Sequence, residues 1–404
     1  MKPLDELTAH CIRCGFCLES CPTFLLTGEE TESPRGRIYL VRSADEGKLD
    51  WEQARPHIDR CLGCRACETA CPSGVEYGQI FEIARNKLET LRTQTAKKAL
   101  LKNLTDPKRV RLQLKLGRLL PGHRVPGFVS KPLSGQSAEA DRPIAQRAGT
   151  LPLLDEAVLP TIRGEVYLLE GCVMRVLYPR VHEATRRLLR RVGFKVREVE
   201  QGCCGSLHLH AGFLDEARAH AQALVAAFPR DLPVIVDSAG CGSTMKEYEN
   251  LIGADDFGGR VFDASEFLAG NGLAEELAKS PGLKIRTTYH DACHLAHGQG
   301  IRTQPRELLA AIPGIELVDL AESDVCCGSA GIYNLTQPKL ARELIERKWK
   351  NIEATVAGIV AMGNPGCHAW IGQAALEHGS RAKVLHTMEL LEAAFIGPSH
   401  FGID

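Results

Sequence analysis

Two short cysteine runs limit what this chain can fold into more than any other feature. Cys11-x2-Cys14-x2-Cys17-x3-Cys21-Pro22 recurs with the same spacing as Cys61-x2-Cys64-x2-Cys67-x3-Cys71-Pro72. Three thiols at i, i+3 and i+6 reach a common centre only if the backbone winds tightly round it. The thiol at i+10 points away from that centre, and the proline behind it turns the chain out of the loop. Each run therefore supplies three corners of one site and a fourth group for another.

This is the spacing with which two-cluster ferredoxins bind cubane 4Fe-4S clusters, the fourth Cys of each run ligating the other run's cluster. The expected wiring is Cys11, Cys14, Cys17 and Cys71 on one cluster, and Cys61, Cys64, Cys67 and Cys21 on the other. Zinc sites use paired cysteines in fours rather than triplets with a distant fourth. Sixteen of the 404 residues are Cys. The first residues lack the apolar stretch of a signal peptide, and no window approaches the ~18 apolar residues that span a bilayer. The expected location is the cytoplasm, where thiols stay reduced and many cysteines mean metal or redox chemistry. A formal net charge of −1 argues against a nucleic-acid partner.

Residues 1–95 read as a mostly helical two-cluster ferredoxin-type domain. The insert between Cys21 and Cys61 has room for two helices and holds Ser33-Pro34-Arg35-Gly36-Arg37-Ile38-Tyr39-Leu40, a helix start with Pro in its first turn. Ile80, Ile83, Ala84, Leu88 and Leu91 recur at helical spacing after the second run. Residues 96–160 read as a basic linker, with ten Lys or Arg and one acid, Asp106, between Lys97 and Lys131. Its Lys108–Leu120 stretch is basic and apolar. That fits an ordinary helix packed on its own protein, or an element lying on an anionic membrane or a partner. Residues 121–160, rich in Pro, Gly and Ser, read as loop.

Residues 161–280 and 281–404 read as an internal repeat. Val166-Tyr167-Leu168-Leu169-Glu170-Gly171-Cys172 is echoed by Ile285-Arg286-Thr287-Thr288-Tyr289-His290-Asp291-Ala292-Cys293. Gly202-Cys203-Cys204-Gly205-Ser206 is echoed by Val325-Cys326-Cys327-Gly328-Ser329, and the run ending at Cys241 by the run ending at Cys367. The offsets are 121, 123 and 126 residues, so order and spacing both repeat. Short β-rich runs alternate with helical stretches at Pro179–Val192, Leu214–Ala227 and Lys339–Ala354, which implies parallel βαβ units. The expected fold is an α+β multidomain chain. An α-helical ferredoxin-type domain is followed by two repeated α/β lobes with parallel sheets, facing each other across a pseudo-twofold.

Each lobe carries four cysteines near strand ends: Cys172, Cys203, Cys204 and Cys241 in one, Cys293, Cys326, Cys327 and Cys367 in the other. Ligands bind at the carboxyl ends of strands in α/β sheets, so each set is a tentative metal or cluster site. Buried structural cysteines and zinc are the competing readings. His208, His210, His290, His294 and His297 crowd the same turns as candidate ligands or proton relays. Arg175 and Lys246 stand close enough in sequence to offset thiolate charge. No Gly-rich dinucleotide or Walker loop is present. Iron–sulfur clusters pass single electrons, whereas oxidising an alcohol removes a hydride equivalent, normally to a flavin or nicotinamide. Any such oxidation therefore belongs to a partner, and this chain is assigned no catalytic residue.

On these residues the chain resembles the glycolate oxidase (glycolate dehydrogenase) iron–sulfur subunits. The resemblance runs through the double ferredoxin motif, Pro34–Leu40, Cys71-Pro72-Ser73-Gly74-Val75, Leu169–Cys172, Gly202–Gly205, Ser238-Ala239-Gly240-Cys241-Gly242, Lys246-Glu247-Tyr248, Cys293-His294-Leu295-Ala296-His297-Gly298-Gln299 and Cys326–Tyr333. It covers all but the basic linker. It implies an electron-transfer subunit that joins flavoprotein subunits oxidising glycolate to glyoxylate. Electrons pass from FAD on those partners toward the quinone pool, with a peripheral place at the inner face of the cell membrane. The lobes resemble the wider cysteine-rich CCG family, found in heterodisulfide reductases, lactate-utilisation proteins and anaerobic glycerol-3-phosphate dehydrogenase. D-lactate or glycerol 3-phosphate oxidation and heterodisulfide-reductase-like thiol chemistry are thus the alternatives. One departure counts. The heterodisulfide reductase form ends each repeat in Cys-x-x-Cys, but Thr244 and Trp370 stand at the last positions here. Four thiolates per lobe fit at most one ordinary additional cluster each.

Overall fold

The computed structural model describes residues 1–92, 94–119, 151–229 and 231–403. The amino-terminal region is helical. The insert between the two cysteine runs forms the helices Pro34–Asp45 and Trp51–Asp59, after a short helix Pro22–Thr27 that begins on the proline behind Cys21. Ser33 caps the first by accepting from Gly36 N–H, and Asp50 with Gln53 forms a capping box on the second. Helix Tyr77–Thr90 follows the second run and buries Ile80, Ala84 and Leu88. Leu91 lies just past its end and is exposed, so the helical periodicity overran the helix by one residue.

The linker continues as helices Thr95–Thr105 and Pro107–Leu119. Leu101 is fully buried against Ala211, Phe213 and Ile332. Lys97 Nζ donates to Glu89 and to the Ala211 carbonyl, and Lys98 pairs with Glu216. This part of the basic segment is thus packed on its own protein. Of residues 121–160, expected as loop, 121–150 lie outside the described residues and 151–160 are irregular apart from a short 3-10 turn, Glu156–Val158.

The rest of the chain builds two four-stranded parallel sheets. The first contains β1 (Gly164–Leu169), β2 (Phe194–Val196), β3 (Val234–Val236) and β4 (Val261–Asp263) in the order β2-β1-β3-β4. The second contains β5 (Arg286–Tyr289), β6 (Glu316–Val318), β7 (Ile359–Met362) and β8 (Lys383–His386) in the order β6-β5-β7-β8. Of the central strands, β3, β7 and the end of β1 are apolar and buried, as parallel strands covered by helices should be, while β5 (Arg-Thr-Thr-Tyr) buries Thr287, Thr288 and Tyr289 in the same place.

The lobes pack by equivalent helices. Pro179–Arg191, which follows β1, meets Thr387–Ile396, which follows β8; Gln304–Ala310, which follows β5, meets Ala264–Ala269, which follows β4. This exchange is the signature of a pseudo-twofold. One apolar core crosses the seam, with Val166, Leu188 and Leu268 on one side and Leu308, Ile359 and Leu391 on the other. Arg187 and Arg191 close it through the fully buried Glu392, at 2.7 and 3.0 Å. Among the described residues no helix is long and apolar enough to cross a membrane.

Candidate functional site

The two amino-terminal loops wind alike. In the first, Arg13 and Gly15 have φ of 60° and 92°; in the second, Gly63 and Arg65 at the same two positions have 65° and 64°. Left-handed residues alternating with right-handed ones turn successive N–H groups inward, a concavity suited to an anionic group. Arginine in that region costs roughly 1–2 kcal/mol, so the repeat of this geometry is imposed by the loop and not by residue preference. A cavity of about 30 Å³ is lined by Cys11, Cys14, Cys17, Cys67 and Cys71. Cys14 is exposed, and Ile12 and Phe16 beside it stand open to solvent.

The second loop is dry. Cys61, Cys64 and Cys67 are buried, and Cys21 is buried with them. Burial pushes the Cys64 and Cys67 thiols up, and neighbouring sulfurs add to it: Cys293, Cys21 and Cys61 for Cys64, and Cys64, Cys61 and Cys21 for Cys67. Cys21 thus lies near the sulfurs of the second run. Donors converge on these sulfurs. Gly63 N–H and Tyr77 O–H donate to Cys61 Sγ at 3.4 and 3.5 Å, and Arg37 Nη1 lies 3.9 Å from Cys21 Sγ. Arg37 is buried in a salt bridge with Glu32 at 2.8 Å, and donates to the His57 carbonyl at 2.7 Å. Its neighbour Arg35 donates to the Arg13 carbonyl at 3.1 Å. The Pro34–Arg37 stretch therefore ties both loops together, a role that its sequence did not disclose.

In the lobes, each set of four cysteines converges at the strand ends. Cys172 Sγ and Cys203 Sγ lie 3.5 Å apart, and Cys204 contacts both Cys203 and Cys241. Cys293 Sγ and Cys326 Sγ lie 4.0 Å apart, Cys327 contacts Cys326 and Cys367, and Asn364 donates to Cys367 at 3.6 Å. The doublets are turned by Gly205 and Gly328, whose φ values are 84° and 89°. A Cβ there would meet the Ala217 and Ala341 carbonyls at 2.8 and 2.9 Å. Cys172 and Cys204 are pushed up by their contacts with other thiols and by burial, whereas Cys203, receiving hydrogen bonds from both neighbours and from Gly205 N–H, is held down. Several buried sulfurs this close cannot all ionise without a cation among them, so the donor set fits a metal centre.

All eight lobe cysteines line one cavity of about 1330 Å³ between the lobes. The lobe-2 set also abuts the ferredoxin region: Leu62, Cys64 and Ala66 pack with Cys293, Cys326, Tyr333 and Leu344. Tyr333 O–H donates to the Arg60 carbonyl at 2.9 Å. Arg175 and Lys246 are held by Glu170 and Glu266 at 2.8 and 2.7 Å and so do not serve the sulfurs directly.

Of the five histidines, His297 is engaged by Thr69 and Arg302 and by the Asp324 carbonyl. The His208 ring packs at a tilt against His220, and the His210 ring against His294. His290 is different. It is fully buried, a ring nitrogen lies within 4.8 Å of the Cys327 and Cys367 sulfurs, and burial draws its pKa to about 3. Lys348 is buried near the Cys326 and Cys327 sulfurs, its Nζ donating to the Glu322 and Ser323 carbonyls. Aligning the repeats would have singled out both, since Leu169 and Leu224 occupy their places in lobe 1.

Residues 8–75 match the family model of the 4Fe-4S dicluster domain, and residues 166–246 and 287–372 match that of the cysteine-rich CCG domain. The chain carries an iron–sulfur domain followed by a duplicated cysteine-rich domain. It is 32% identical to the glycolate oxidase iron-sulfur subunit of Escherichia coli (strain K12), over 96% of this chain and 95% of that one. It is 33% identical to the probable glycolate oxidase iron-sulfur subunit of Bacillus subtilis (strain 168), over 95% and 94%. A fumarate reductase (CoM/CoB) polypeptide of Methanothermobacter marburgensis is 27% identical over 95% of this chain and 72% of its own. Full-length similarity at this level, on top of the shared order of domains, means that the chain belongs to the family of glycolate oxidase iron–sulfur subunits.

Proposed function

We propose that this chain is the electron-transfer subunit of a glycolate dehydrogenase complex. Flavoprotein partners oxidise glycolate to glyoxylate on FAD, and this chain carries the electrons onward toward the quinone pool. The ligand sets are Cys11, Cys14, Cys17 and Cys71 for one 4Fe-4S cluster, and Cys61, Cys64, Cys67 and Cys21 for the second. The lobe sets Cys172, Cys203, Cys204, Cys241 and Cys293, Cys326, Cys327, Cys367 hold up to one further centre each. The domains follow the spans 1–95, 96–160, 161–280 and 281–404. Bound clusters supply one-electron carriers; the chain's own residues orient them, exclude water and temper their charge.

The observation that carries this reading is continuity. Thiol sites run from the exposed Cys14 loop, through the buried second loop, to Cys293 and Cys326 against Cys64. Ile12 and Phe16 make the exposed end a surface for the flavoprotein partner. N–H and O–H donors on Cys61 stabilise the more negative, reduced state of the cluster it holds.

The test is anaerobic co-purification from the native host, with iron and flavin counted and cluster reduction followed on adding substrate. About 8 iron atoms per chain are expected from the ferredoxin region alone, with reduction by glycolate. Reduction by D-lactate but not glycolate would overturn the substrate. The shared cavity between the lobes favours a second reading, thiol–disulfide chemistry at the cysteine doublets. Discharge of the reduced complex by a small disulfide, and not by a quinone, would select it.

A further inference from the structure

The two lobes share a scaffold but not a donor set. His290 stands three residues before Cys293 and Leu169 three residues before Cys172, so the same position at the strand end holds imidazole in one lobe and a branched alkane in the other. His290 is 0% exposed, and neither ring nitrogen has a hydrogen-bond partner of normal geometry. Leaving a buried polar group unmet costs about 1–3 kcal/mol, so a native fold that buries one has a use for it. His208, His210 and His294 each leave one ring nitrogen unmet, His290 both, and two buried histidines show what a structural one looks like. His182 Nδ1 meets Asp237 at 2.8 Å and its Nε2 the Glu170 carbonyl at 3.1 Å; His386 Nε2 meets the Asp237 carbonyl at 2.9 Å and its Nδ1 accepts from Met388 N–H.

What lies within reach of His290 is sulfur. One of its nitrogens and the Cys327 and Cys367 sulfurs lie within 4.8 Å of one another, all three residues buried. This fits three ligands sharing one metal ion, since bonds of about 2.0–2.3 Å to nitrogen and sulfur place neighbouring donors about 3–4 Å apart. Cys326, in contact with Cys327, stands next in line. The Ser323 main chain lies near the ring, and a carbonyl so placed can fix the tautomer of a ligating imidazole.

We propose that His290 is a metal ligand, giving lobe 2 a mixed nitrogen–sulfur centre with Cys327 and Cys367, while lobe 1 offers sulfur alone. The metal is a thiophilic transition ion, either iron within a cluster or zinc. A neutral imidazole in place of a thiolate leaves the centre one unit less negative. Were the ion iron, that would raise its potential, as His for Cys does in Rieske centres, and would make lobe 2 the downhill neighbour of the cluster at Cys64. The inference rests on reading the lobe cysteines as metal ligands, but not on which metal they hold.

The test uses the full-length chain purified anaerobically after growth on 15N-histidine or natural-abundance histidine. Iron and zinc are counted first. For an iron centre, pulsed EPR is expected to show a strong coupling to a histidine nitrogen that changes with the label. For zinc, the X-ray absorption first shell is expected to contain nitrogen besides sulfur. His290→Leu, the residue of lobe 1, is expected to abolish that signature and to weaken metal retention at least tenfold, leaving the ferredoxin signals in place. His294→Gln, which alters the neighbouring histidine packed on His210, should leave it intact. A lobe-2 centre with a sulfur-only shell overturns the inference while leaving the cysteines as ligands. A lobe 2 without metal overturns both. Because the wild-type signature is read on unaltered protein, failure of His290→Leu to fold does not rescue the idea; loss of the coupling in His294→Gln would also overturn it.

Discussion

The two lobes descend from one pattern of strands, helices and cysteines, and they meet the ferredoxin region in opposite ways. Lobe 2 meets it chiefly through an apolar seam in which Leu62 and Ala66 pack with Tyr333 and Leu344, and Cys64 faces Cys293 and Cys326, with the Tyr333–Arg60 and Thr69–His297 hydrogen bonds beside it. Lobe 1 meets it through polar groups: Arg65 pairs with Glu247 at 2.6 Å, Asn86 donates to the Gly212 carbonyl at 2.9 Å, and Arg85 donates to the His210 carbonyl. The charge around the sulfurs differs too. Lobe 2 has His290 and Lys348 where lobe 1 has Leu169 and Leu224. Duplication kept what forms the cavity and let what surrounds the sulfur diverge. A dry, low-dielectric seam between sulfur sites is a path for an electron; a seam of ion pairs is a joint.

The largest consequence is asymmetry of electron flow. The pair Cys326→Ser and Cys327→Ser is expected to strip lobe 2 of metal and to cut glycolate-to-quinone electron transfer by about tenfold or more, at least what loss of an outer-shell partner costs a metal site. The pair Cys203→Ser and Cys204→Ser is expected to cost clearly less. Steady-state transfer by the whole complex, normalised to ferredoxin-cluster content, measures both. Equal losses would break the comparison and make the shared cavity, not the seam, the unit of function.

Backbone changes should do the reverse and treat the lobes alike. Gly205→Ala and Gly328→Ala each place a Cβ within 3 Å of a helix carbonyl at a left-handed φ. Each is expected to cost about 2 kcal/mol or more, read as a fall in thermal midpoint of the metal-loaded chain. A large difference between them would mean that the doublet turns are not equivalent.

What the sequence discloses follows the same division. The cysteine sets and the central strands β1, β3, β5 and β7 were legible because each is an apolar run or a repeated spacing. The outer strands β2, β4 and β6 are three residues each, and β2 and β6 are half exposed, so they carry no apolar run to read. The five turn histidines looked equivalent in sequence; burial and distance to sulfur separate His290 from the rest. Arg37 could be quoted as part of a motif, but only the fold brings it between Glu32 and Cys21. The seam between Cys64 and Cys293 joins residues more than two hundred positions apart, and no local pattern encodes it.

The smallest effect tests the polar joint itself. Glu82, on the helix Tyr77–Thr90, faces lobe 1, with His210 Nδ1 at 3.8 Å. Burial, aided by Glu247 and Glu68 and opposed by Arg65, raises its carboxyl to about 8. His210 is drawn well below its usual value by burial and does not compensate. An unfolded Glu titrates near 4.3, so between about 4.3 and 8 the folded chain holds a proton that the unfolded chain has released. The contribution of Glu82 to stability is therefore full below the lower value and is lost as pH rises through the upper. Glu82→Gln keeps the shape and removes the charge. It is expected to flatten the decline in thermal midpoint between pH 6 and 8, and to leave the variant more stable than the parent at the alkaline end. Arg85 and Asn86 still anchor the joint in that variant, so electron transfer should be unchanged at neutral pH. A variant that declines as steeply as the parent would place the pH sensitivity elsewhere and leave the lobe-1 contact a neutral one.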